Sequence, residues 1–381
     1  MKILSIETSC DETAISIIEA SGEISKPSFR VLANNLISQI NIHQEFGGVY
    51  PSLAKREHAK NLPIVLEKTL KDANFFIEEK NTIDKDRIES ILEREKEMAE
   101  NLFDILSKIK KPEIDFIAVT TGPGLEPALW VGITFAKALA KAWNLPLVPV
   151  NHMEGHILSV LLKSKENESI DTSKIKFPLL SLLISGGHTE IILVSNWMEY
   201  QKIGQTVDDA VGEAFDKVAR ILGLPYPGGP EISRLAKEGK ENKKIKLPRP
   251  MLRTEDYDFS FSGLKTAVLY LVRDIGELSE QDNKDIAKEF QTAVGDVFVH
   301  KIKKAIEKYG VSQIIVAGGV AANEYLRERF KNELNIEIFL PEKDLSTDNA
   351  IMIGMAGYFG AISEKETSPD DNVRALSSLS L

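Results

Sequence analysis

Cysteine is almost absent from this sequence, since Cys10 is the only one among 381 residues. A single thiol can form neither an intrachain disulfide framework nor a thiolate metal cluster, and this is typical of a reducing compartment. Apolar runs approaching the roughly 18 residues of a membrane-spanning helix are also missing, as is a basic N-terminal region followed by a long apolar stretch. The sequence therefore predicts a soluble, unprocessed, cytoplasmic protein.

An excess of positive charge is missing as well, because the formal net charge is −10 at pH 7. Such a chain repels polyanions at long range, so a nucleic acid would have to bind a local basic patch or a surface completed by partner subunits. The hydrophobic content of 43% is sufficient for a large core. The length favours two domains or lobes over one.

One pattern of elements occurs twice along the chain. Each half opens with two apolar runs around a short turn, which predicts a β-hairpin, at 2–8 and 13–19 and again at 179–185 and 190–195. Each half later has a strand, a glycine turn and an amphipathic helix, in "IDFIAVTTGPGLEPALWVGITFAKALAKAW" and "SQIIVAGGVAANEYLRERF". The repeat predicts an α/β protein with a duplicated fold, in which two lobes enclose a central cleft.

The N-terminal lobe is expected at residues 1–145 and the C-terminal lobe at 146–363, followed by a tail, 364–381, whose weak periodicity predicts flexibility. A densely charged segment at about 75–111 fits neither repeat and is expected to be a helical insertion in the N-terminal lobe. It is either a solvated surface helix or hairpin that packs on its neighbour, or a docking site for a partner. Further helices are predicted at 51–74, 207–222, 281–309 and 347–363.

Glycine turns follow several predicted strands. Their backbone N–H groups can bind a phosphate or another oxyanion, although a turn such as Gly186-Gly187 can also be an ordinary hairpin turn. Taken together, five turns favour a nucleotide-sized anionic ligand: "SCDET" at 9–13, Gly122-Pro123-Gly124, Gly186-Gly187, Gly228-Gly229 and Gly318-Gly319.

Acidic residues accompany these turns. A helix that begins near residue 207 would place Asp209, Glu213 and Asp216 on one face, where like charges repel unless something uses them. The alternative is that acids near its start only favour the helix dipole, and that Asp348 only caps a later helix. The remaining acids of this group are Asp11, Glu12 and Asp208.

Two histidines, His152 and His156, stand four positions apart in "VNHMEGHILSV" and would lie on one face of a helix. Two imidazoles and one carboxylate leave coordination positions open, as in catalytic iron or zinc sites. The spacing does not fix the third ligand, so a metal site and a helix without metal both stay open. The peptidase motif HExxH is absent, because Met153 occupies the position of its glutamate.

Several longer motifs, spread from residue 3 to about residue 357, resemble the TsaD (Gcp, YgjD) family, whose archaeal and eukaryotic relatives are the catalytic subunits of the KEOPS complex. They are "IETSCDET", "GGVYPSLAKREH", "GPGLEPALWVGITFAKALA", "VNHMEGH", "LISGGHTE", "DDAVGEAFDKVARILGLPYPGGP", "FSFSGLKTA" and "AGGVAANEYLR". The resemblance implies a duplicated actin-like ATPase (ASKHA) fold. It also implies transfer of a threonylcarbamoyl group from threonylcarbamoyl-AMP to N6 of the adenosine 3′ of the anticodon, in tRNAs reading ANN codons. The product is N6-threonylcarbamoyladenosine (t6A).

The resemblance further implies roles for individual residues. One divalent metal ion per subunit, Fe²⁺ in preference to Zn²⁺, would be bound by His152, His156 and Asp348. Asp11 matches an acidic position important for the transfer, and Glu12 beside it is a weaker catalytic candidate. The adenylate would bind at Leu183, Ile184, Ser185, Gly186, Gly187, Asp216, Gly229 and Asn323.

The partners that the resemblance implies are tRNA, threonylcarbamoyl-AMP, TsaB-like and TsaE-like subunits, and a TsaC-like enzyme that supplies the adenylate. The run "EPALWVG" stands where bacterial members commonly have one like "VGALLVG", which leaves the bacterial or archaeal type of partner open. Two rival functions are a metallopeptidase, the older sialoglycoprotease label, and a non-catalytic ATP-binding scaffold. The first lacks its motif, and the second would have little use for the histidine pair.

Overall fold

The computed structural model describes residues 1–163, 167–169, 172–363 and 372–381. Its strands are β1 Lys2–Glu7, β2 Glu12–Glu23, β3 Lys26–Ser38, β4 Phe116–Gly122, β5 Leu147–Asn151, β6 Leu162–Lys163, β7 Glu168–Ser169, β8 Leu179–Ile184, β9 Thr189–Asn196, β10 Glu199–Gln205, β11 Gln313–Ala317 and β12 Glu337–Phe339. Its α-helices are α1 Ile40–Gln44, α2 Pro51–Asp72, α3 Lys85–Ile91, α4 Lys96–Lys108, α5 Glu126–Trp143, α6 His152–Leu158, α7 Val211–Ile221, α8 Gly228–Glu238, α9 Ser262–Ile275, α10 Glu280–Tyr309, α11 Glu324–Glu333, α12 Lys343–Ser346 and α13 Ala350–Ile362.

The chain forms two compact units. Unit 1 comprises Met1–His43, Val49–Lys174 and Asp348–Leu381, and unit 2 comprises Gln44–Gly48 and Ile175–Thr347. The boundaries of the predicted lobes, 1–145 and 146–363, differ from those of the two units, because residues 146–174 and those from 348 onward belong to unit 1. The division into these two lobes stays a prediction.

The sheet of unit 1 has the strand order β3-β2-β1-β4-β5. The first hairpin pairs β1 antiparallel with β2, and β1 also pairs parallel with β4. Because side chains alternate across a strand, Leu4 and Ile6 face a core shared with α2 and α5, while the hydroxyl of Ser5 donates to the carbonyl of Ala350 in α13 at 2.7 Å. Both faces of β1 are thus covered, which explains its apolar sequence.

Unit 2 repeats this arrangement, with the strand order β10-β9-β8-β11-β12. Here β8 pairs antiparallel with β9 and parallel with β11, as β1 does with β2 and β4. Its core includes the buried rings of Phe215, Phe290 and Phe298. Two sheets with the same order and strand directions confirm the predicted duplicated α/β fold.

Two predicted helices begin later than expected because side chains before them bind backbone N–H groups. Asp208 accepts a hydrogen bond from the N–H of Phe261 at 2.8 Å, so the residues before α7 form a loop rather than a first helical turn. The side chain of Asn349 caps α13, which therefore begins at residue 350. Helices α2 and α10 agree with the prediction within two residues at each end.

The charged segment at 75–111 contains α3 and α4. One side of each helix is charged, and the other packs into the core of unit 1 with α2. The buried side chains that make this contact are Ile88, Leu92, Met98, Leu102 and Leu106 from the segment, and Leu62 and Leu66 from α2.

Helix α13 is buried from residue 350 to residue 360. Two of its glycines lie against the sheet, where a Cβ on Gly354 would come within 2.9 Å of Ile18 Cδ1 and one on Gly357 within 2.6 Å of Ala118 Cβ. Its apolar sequence therefore reflects close packing on all sides. Nowhere in the described part of the chain is a helix long and apolar enough to cross a membrane.

Residues 364–371 of the predicted tail lie outside the described residues. Within 372–381, the N–H of Leu376 donates to a carbonyl of β4 at 2.8 Å. The carbonyl of Ser380 accepts from the side-chain amide of Asn151 at 3.2 Å. These residues of the tail are thus hydrogen-bonded to unit 1, and the flexibility of the tail as a whole stays a prediction.

We expect Leu102→Ala to lower the free energy of unfolding by about 2–5 kcal/mol, because it removes fully buried methyl groups and leaves a cavity. Urea denaturation followed by tryptophan fluorescence measures the change. The matched control is Glu100→Ala on the exposed side of α4, expected within about 0.5 kcal/mol of the parent. Equal stability of the two variants would contradict the packing of α4 in the core.

Candidate active site

The histidine pair lies at the start of α6, directly after β5. The side chain of Asn151 caps this helix by accepting hydrogen bonds from the N–H groups of Met153 at 2.9 Å and Glu154 at 3.4 Å. The helical spacing then places His152 and His156 on one face, with their ring centroids 4.7 Å apart. The predicted helix and the predicted shared face are both present.

Asp348 reaches this face from the other end of the sequence. It directly precedes Asn349, whose side chain caps α13. Asp348 is therefore not the capping residue of this helix. Helices α6 and α13 pack closely at Gly155, where a Cβ would come within 3.1 Å of Met352 Cγ. This close approach brings the carboxylate to the two imidazoles.

The two buried imidazoles and the partly exposed carboxylate form a cluster, His152–His156–Asp348. The Nε2 atoms of His156 and His152 lie 3.1 Å and 3.4 Å from Oδ1 of Asp348, and the imidazoles are 0% and 7% exposed. One ligand atom from each residue lies within 4.8 Å of the others. Ligand atoms that stand about 2.1 Å from a first-row metal ion are separated by about 3 Å, which fits this spacing. The predicted ligand set could therefore hold a divalent metal.

Glu7, which the sequence analysis did not single out, lies behind this cluster. Its Oε2 lies 3.0 Å from Nδ1 of His152 and accepts from the hydroxyl of Thr120 at 2.6 Å, and the side chain is fully buried. An imidazole that donates from Nδ1 to a carboxylate presents Nε2 to a metal. The sequence feature that could have pointed to Glu7 is a carboxylate at the end of a largely apolar strand.

Burial and neighbouring charges oppose each other in the cluster. Burial lowers the pKa of His152, but the carboxylates of Glu7 and Asp348 raise it well above its ordinary value of 6.5. Burial raises the pKa of Asp348, yet the two imidazoles bring it well below its ordinary range. Burial lowers the pKa of His156 and outweighs Asp348, so that this imidazole favours the neutral form, which binds metals.

The turn after β1 contains Asp11 and leads into Glu12, the first residue of β2, which lies within electrostatic reach of Asp348. Asp11 is 7% exposed. Burial raises the pKa of Glu12 well above its ordinary range, and the charges of Asp11 and Asp348 raise it further. The protonated form of Glu12 is thus favoured beside Asp11.

Unit 2 contains a pocket of about 840 Å³. Its walls come from the turn after β8, from α7, α8 and α10, and from the segment after β11. This volume is in the range of small-molecule sites, about 300–1,000 Å³. Four of the eight predicted adenylate positions line it: Gly186, Asp216, Gly229 and Asn323.

The other four predicted positions do not line this pocket. Leu183 and Ile184 are fully buried within β8. The carbonyl of Ser185 accepts from the N–H of Gly212, a lining residue, at 3.2 Å. Gly187 is exposed in the turn, and a Cβ there would meet no atom within 4 Å. Strand β8 thus supports the pocket through its backbone.

Asp216 accepts a hydrogen bond from the N–H of Gly228 at the start of α8, at 2.7 Å. Burial raises the pKa of Asp216, and the hydrogen bonds from the backbone of α8 only partly offset this. The other two acids of the predicted face share one cation, because Nζ of Lys217 lies 2.8 Å from both Asp209 and Glu213. Asp216 is therefore the acid of this group that reaches the pocket.

Asn323 is held by two side chains that the sequence analysis missed. Its Nδ2 donates to Oε1 of Gln291 at 3.1 Å and to Oγ of Ser233 at 3.0 Å, and both residues line the pocket. Its Oδ1 accepts from the N–H of Leu326 and caps α11. Gln291 and Ser233 belong to no motif, so no sequence signal pointed to them.

A family model described as "TsaD: tRNA N6-adenosine threonylcarbamoyltransferase" matches residues 30–83 and 93–355. The chain belongs to this family. Only 84–92 interrupts the match, and it contains α3. Most of the segment at 75–111 thus lies within the pattern of the TsaD family.

Relatives that match along nearly their whole length carry the same description. The tRNA N6-adenosine threonylcarbamoyltransferase of Thermosipho africanus (strain TCF52B) is 43% identical over 387 residues and covers 100% of both chains. That of Bacillus anthracis is 43% identical, covering 93% of this chain and 90% of the relative, and that of Persephonella marina (strain DSM 14350 / EX-H1) is 42% identical, covering 94% and 90%. These relatives confirm the predicted family and enzyme class, for which tRNA is the substrate.

Solved structures show a distant likeness. Component A of the Acidaminococcus fermentans (R)-2-hydroxyglutaryl-CoA dehydratase gives a TM-score of 0.49 at 14% identity, covering 96% of this chain and 100% of that one. Full-length HypF in its phosphate- and nucleotide-bound form gives 0.47 at 14% identity, covering 71% and 42%.

We expect Glu7→Gln to weaken divalent-metal binding by about 10- to 100-fold, because a neutral amide orients His152 less firmly and no longer raises its basicity. Titration of the metal-free protein with Zn²⁺, or with Fe²⁺ without oxygen, measures the affinity. His156→Ala should remove the site, whereas His300→Ala, an exposed histidine of unit 2, should leave it intact. Parental affinity in Glu7→Gln would exclude this orienting role.

The stability of the metal-free protein should fall on the alkaline side of neutrality. The pKa of His152 is raised in the folded state, so its contribution is complete below about pH 6.5 and is lost as pH rises through the folded pKa. The pKa values of Glu7 and Asp348 are lowered in the folded state, so these carboxylates stabilise it at neutral and alkaline pH. Their contribution is lost only in acid. Urea denaturation between pH 6 and 10 with chelator present tests this. In Glu7→Gln the alkaline loss should move to lower pH, and identical profiles would contradict the pairing.

Proposed function

We propose that this chain transfers the threonylcarbamoyl group of threonylcarbamoyl-AMP to N6 of the adenosine 3′ of the anticodon in tRNAs reading ANN codons, and so forms t6A. The observation that carries the proposal is the buried cluster His152–His156–Asp348 with Glu7 behind it, in a chain of the TsaD family. A nucleotide-sized pocket in unit 2 supports the same reaction.

The chemistry needs positioning more than a covalent nucleophile. An exocyclic amine on an aromatic ring is a poor nucleophile, whereas the donor is an activated mixed anhydride with AMP as its leaving group. A C–N bond forms at N6, the bond from the carbonyl carbon to the phosphate oxygen breaks, and the amine loses one proton. No acyl-enzyme is required.

His152, His156 and Asp348 would hold one divalent metal ion per chain, and we favour Fe²⁺ over Zn²⁺. Such an ion, when bound, supplies a Lewis acid that orients the donor and polarises its carbonyl. The carboxylate of Glu7, 3.0 Å from Nδ1 of His152, would hold a proton on Nδ1 and so leave Nε2 to bind such an ion. The near-complete burial of both imidazoles excludes competing water.

Asp11 would accept the proton from N6 or orient the amine for attack. Its neighbour Glu12 favours the protonated form, because burial and the charge of Asp11 raise its pKa. In its protonated form Glu12 is poorly suited to accept a proton from N6. We assign Asp11 the catalytic role and Glu12 a supporting one.

The adenylate would occupy the pocket of unit 2. The open backbone of Gly186, which lines the pocket, and of Gly187 beside it offers N–H groups to a phosphate. Gly229 lines the same pocket, with its own N–H donating to Asp216. Asp216 and Asn323 line the same pocket and offer an acceptor and an amide for the nucleoside. The predicted positions in β8, from Leu183 to Ser185, would act by fixing this turn.

Two rival functions are less well supported. A metallopeptidase needs a base beside its metal ligands, but the residue after His152 is Met153, whose side chain is buried. A non-catalytic ATP-binding scaffold would explain the pocket and leave the buried histidines and Asp348 without a use.

The proposal includes partners and a location. The three relatives named above are bacterial, which favours TsaB-like and TsaE-like subunits, with the adenylate supplied by a TsaC-like enzyme. We place the protein in the cytoplasm, where its tRNA substrate and a reducing environment for Cys10 are found.

Reconstitution tests the function. The chain is combined with its partner subunits, tRNA, threonine, bicarbonate, ATP and an adenylate-forming enzyme, and t6A is measured by nucleoside mass spectrometry. The proposal requires t6A in the tRNA when the chain is present and none when it is left out. The same nucleoside yield with and without the chain would refute it.

We expect Asp11→Ala to abolish t6A formation in that assay, because it removes the acceptor of the amine proton, with bound metal unchanged. Metal content is measured on the same preparation, which separates a chemical defect from a damaged metal centre. Asp274→Ala, at an exposed position of unit 2, should retain full activity. Near-normal t6A formation by Asp11→Ala would remove Asp11 from the mechanism.

A further inference from the structure

Positive charge is concentrated in one stretch of unit 2. Residues 237–253, which we call the lysine loop, have a net charge of +5 in a chain of −10. The loop contains two glutamates, Glu238 and Glu241, and seven basic residues: Lys237, Lys240, Lys243, Lys244, Lys246, Arg249 and Arg253.

All five lysines of the loop are exposed, and Lys237 is paired with Glu324. The other four are Lys240, Lys243, Lys244 and Lys246. Within the part of the chain that the structure describes, Lys243, Lys244 and Lys246 form no ion pair. Arg249, in contrast, is paired with Glu289 and Asp296. The loop thus presents ammonium groups that are available to an external anion.

The backbone of the lysine loop is anchored to α10 by acidic side chains. Asp285 accepts from the N–H of Lys240 at 2.8 Å, and Glu289 accepts from the N–H of Leu247 at 3.1 Å. Glu289 also binds Arg249. These two acids are therefore occupied by backbone N–H groups and by one arginine.

Two apolar side chains anchor the lysine loop in the core of unit 2. Ile245 and Leu247 are 5% and 6% exposed and belong to the core of unit 2. Between them, Lys246 is exposed. After the end of α8 at Glu238 the loop has no helix or strand but is held in place, so a ligand would pay little ordering entropy on binding it.

The exposed lysines border a groove that continues towards the pocket. A groove of about 510 Å³ is lined by Lys240, Lys243, Lys246 and Arg249, and by Lys288 of α10. Lys288 also lines the 840 Å³ pocket, as does Lys237 at the other end of the loop. The basic surface and the pocket are therefore adjacent within unit 2.

From these observations we infer that the lysine loop binds the phosphate backbone of the tRNA and holds it beside the adenylate pocket. The inference rests on the proposed function, since it concerns the acceptor of that reaction. A chain that repels polyanions at long range needs a concentrated basic surface to bind one, and flexible lysines contact phosphates without reading sequence. An exposed, anchored row of lysines next to the donor pocket meets both needs.

The test replaces Lys240, Lys243, Lys244 and Lys246 together with glutamine in the full chain. Binding of fluorescent tRNA is measured by anisotropy at several salt concentrations. We expect Kd to rise by about tenfold or more at 0.1 M salt, and the slope of log Kd against log salt to fall by about 0.7–0.9 for each phosphate that the variant no longer binds. In the transfer assay, KM for tRNA should rise while kcat is retained.

The matched control removes four charges from other exposed lysines of unit 2, with Lys176, Lys303, Lys308 and Lys331 replaced by glutamine. It should bind tRNA like the parent. Equal Kd and salt slope in the two quadruple variants would overturn the inference, as would a loss of activity with intact tRNA binding, which would assign the loop to an acidic protein partner. Absence of transfer by the parent chain would refute the proposed function instead, because the binding measurement needs no donor.

Discussion

The placement of one buried imidazole between two carboxylates, one fully and one partly buried, is the constraint on which the candidate site of unit 1 depends. Glu7 and Asp348 both approach His152, and charges removed from water are tolerated only when they are paired. In the absence of a metal, a proton on His152 offsets part of this negative charge. A divalent cation would offset more of it, so the electrostatics of the apoprotein already favour metal binding.

The duplicated topology gives two turns equivalent positions and different chemistry. In unit 1 the turn after β1 carries Asp11 and Glu12, which suits proton transfer. In unit 2 the turn after β8 carries Gly186 and Gly187, which suits close approach of an anion. Each turn joins the first two strands of its sheet, so the fold supplies one kind of location and the side chains determine its use.

The sequence predicted the elements that depend on local patterns. Alternation and apolar runs located both hairpins, and helical periodicity located α2 and α10. The spacing of His152 and His156 correctly placed them on one face. Asp348 followed only from the family resemblance, because it joins His156 across 192 residues of chain.

What the sequence did not reveal depends on tertiary contacts. Glu7 meets His152 across 145 residues, and no local pattern marks such a pair. Lys217 bridges Asp209 and Glu213 and reduces the mutual repulsion that had suggested a site. The late start of α7 has a similar cause, since Asp208 binds the backbone of Phe261, more than fifty residues away.

Unit 1 is assembled from segments at both ends of the chain, whereas nearly all of unit 2 is one continuous stretch. During synthesis, residues 175–347 leave the ribosome before α13 exists, so unit 2 can fold while unit 1 still lacks the helix that covers one face of its sheet. Asp348 emerges at the start of that late segment. The order of translation thus makes the His152–His156–Asp348 cluster one of the last parts of the protein to form, and a nascent chain stalled before residue 348 would contain both histidines without their carboxylate.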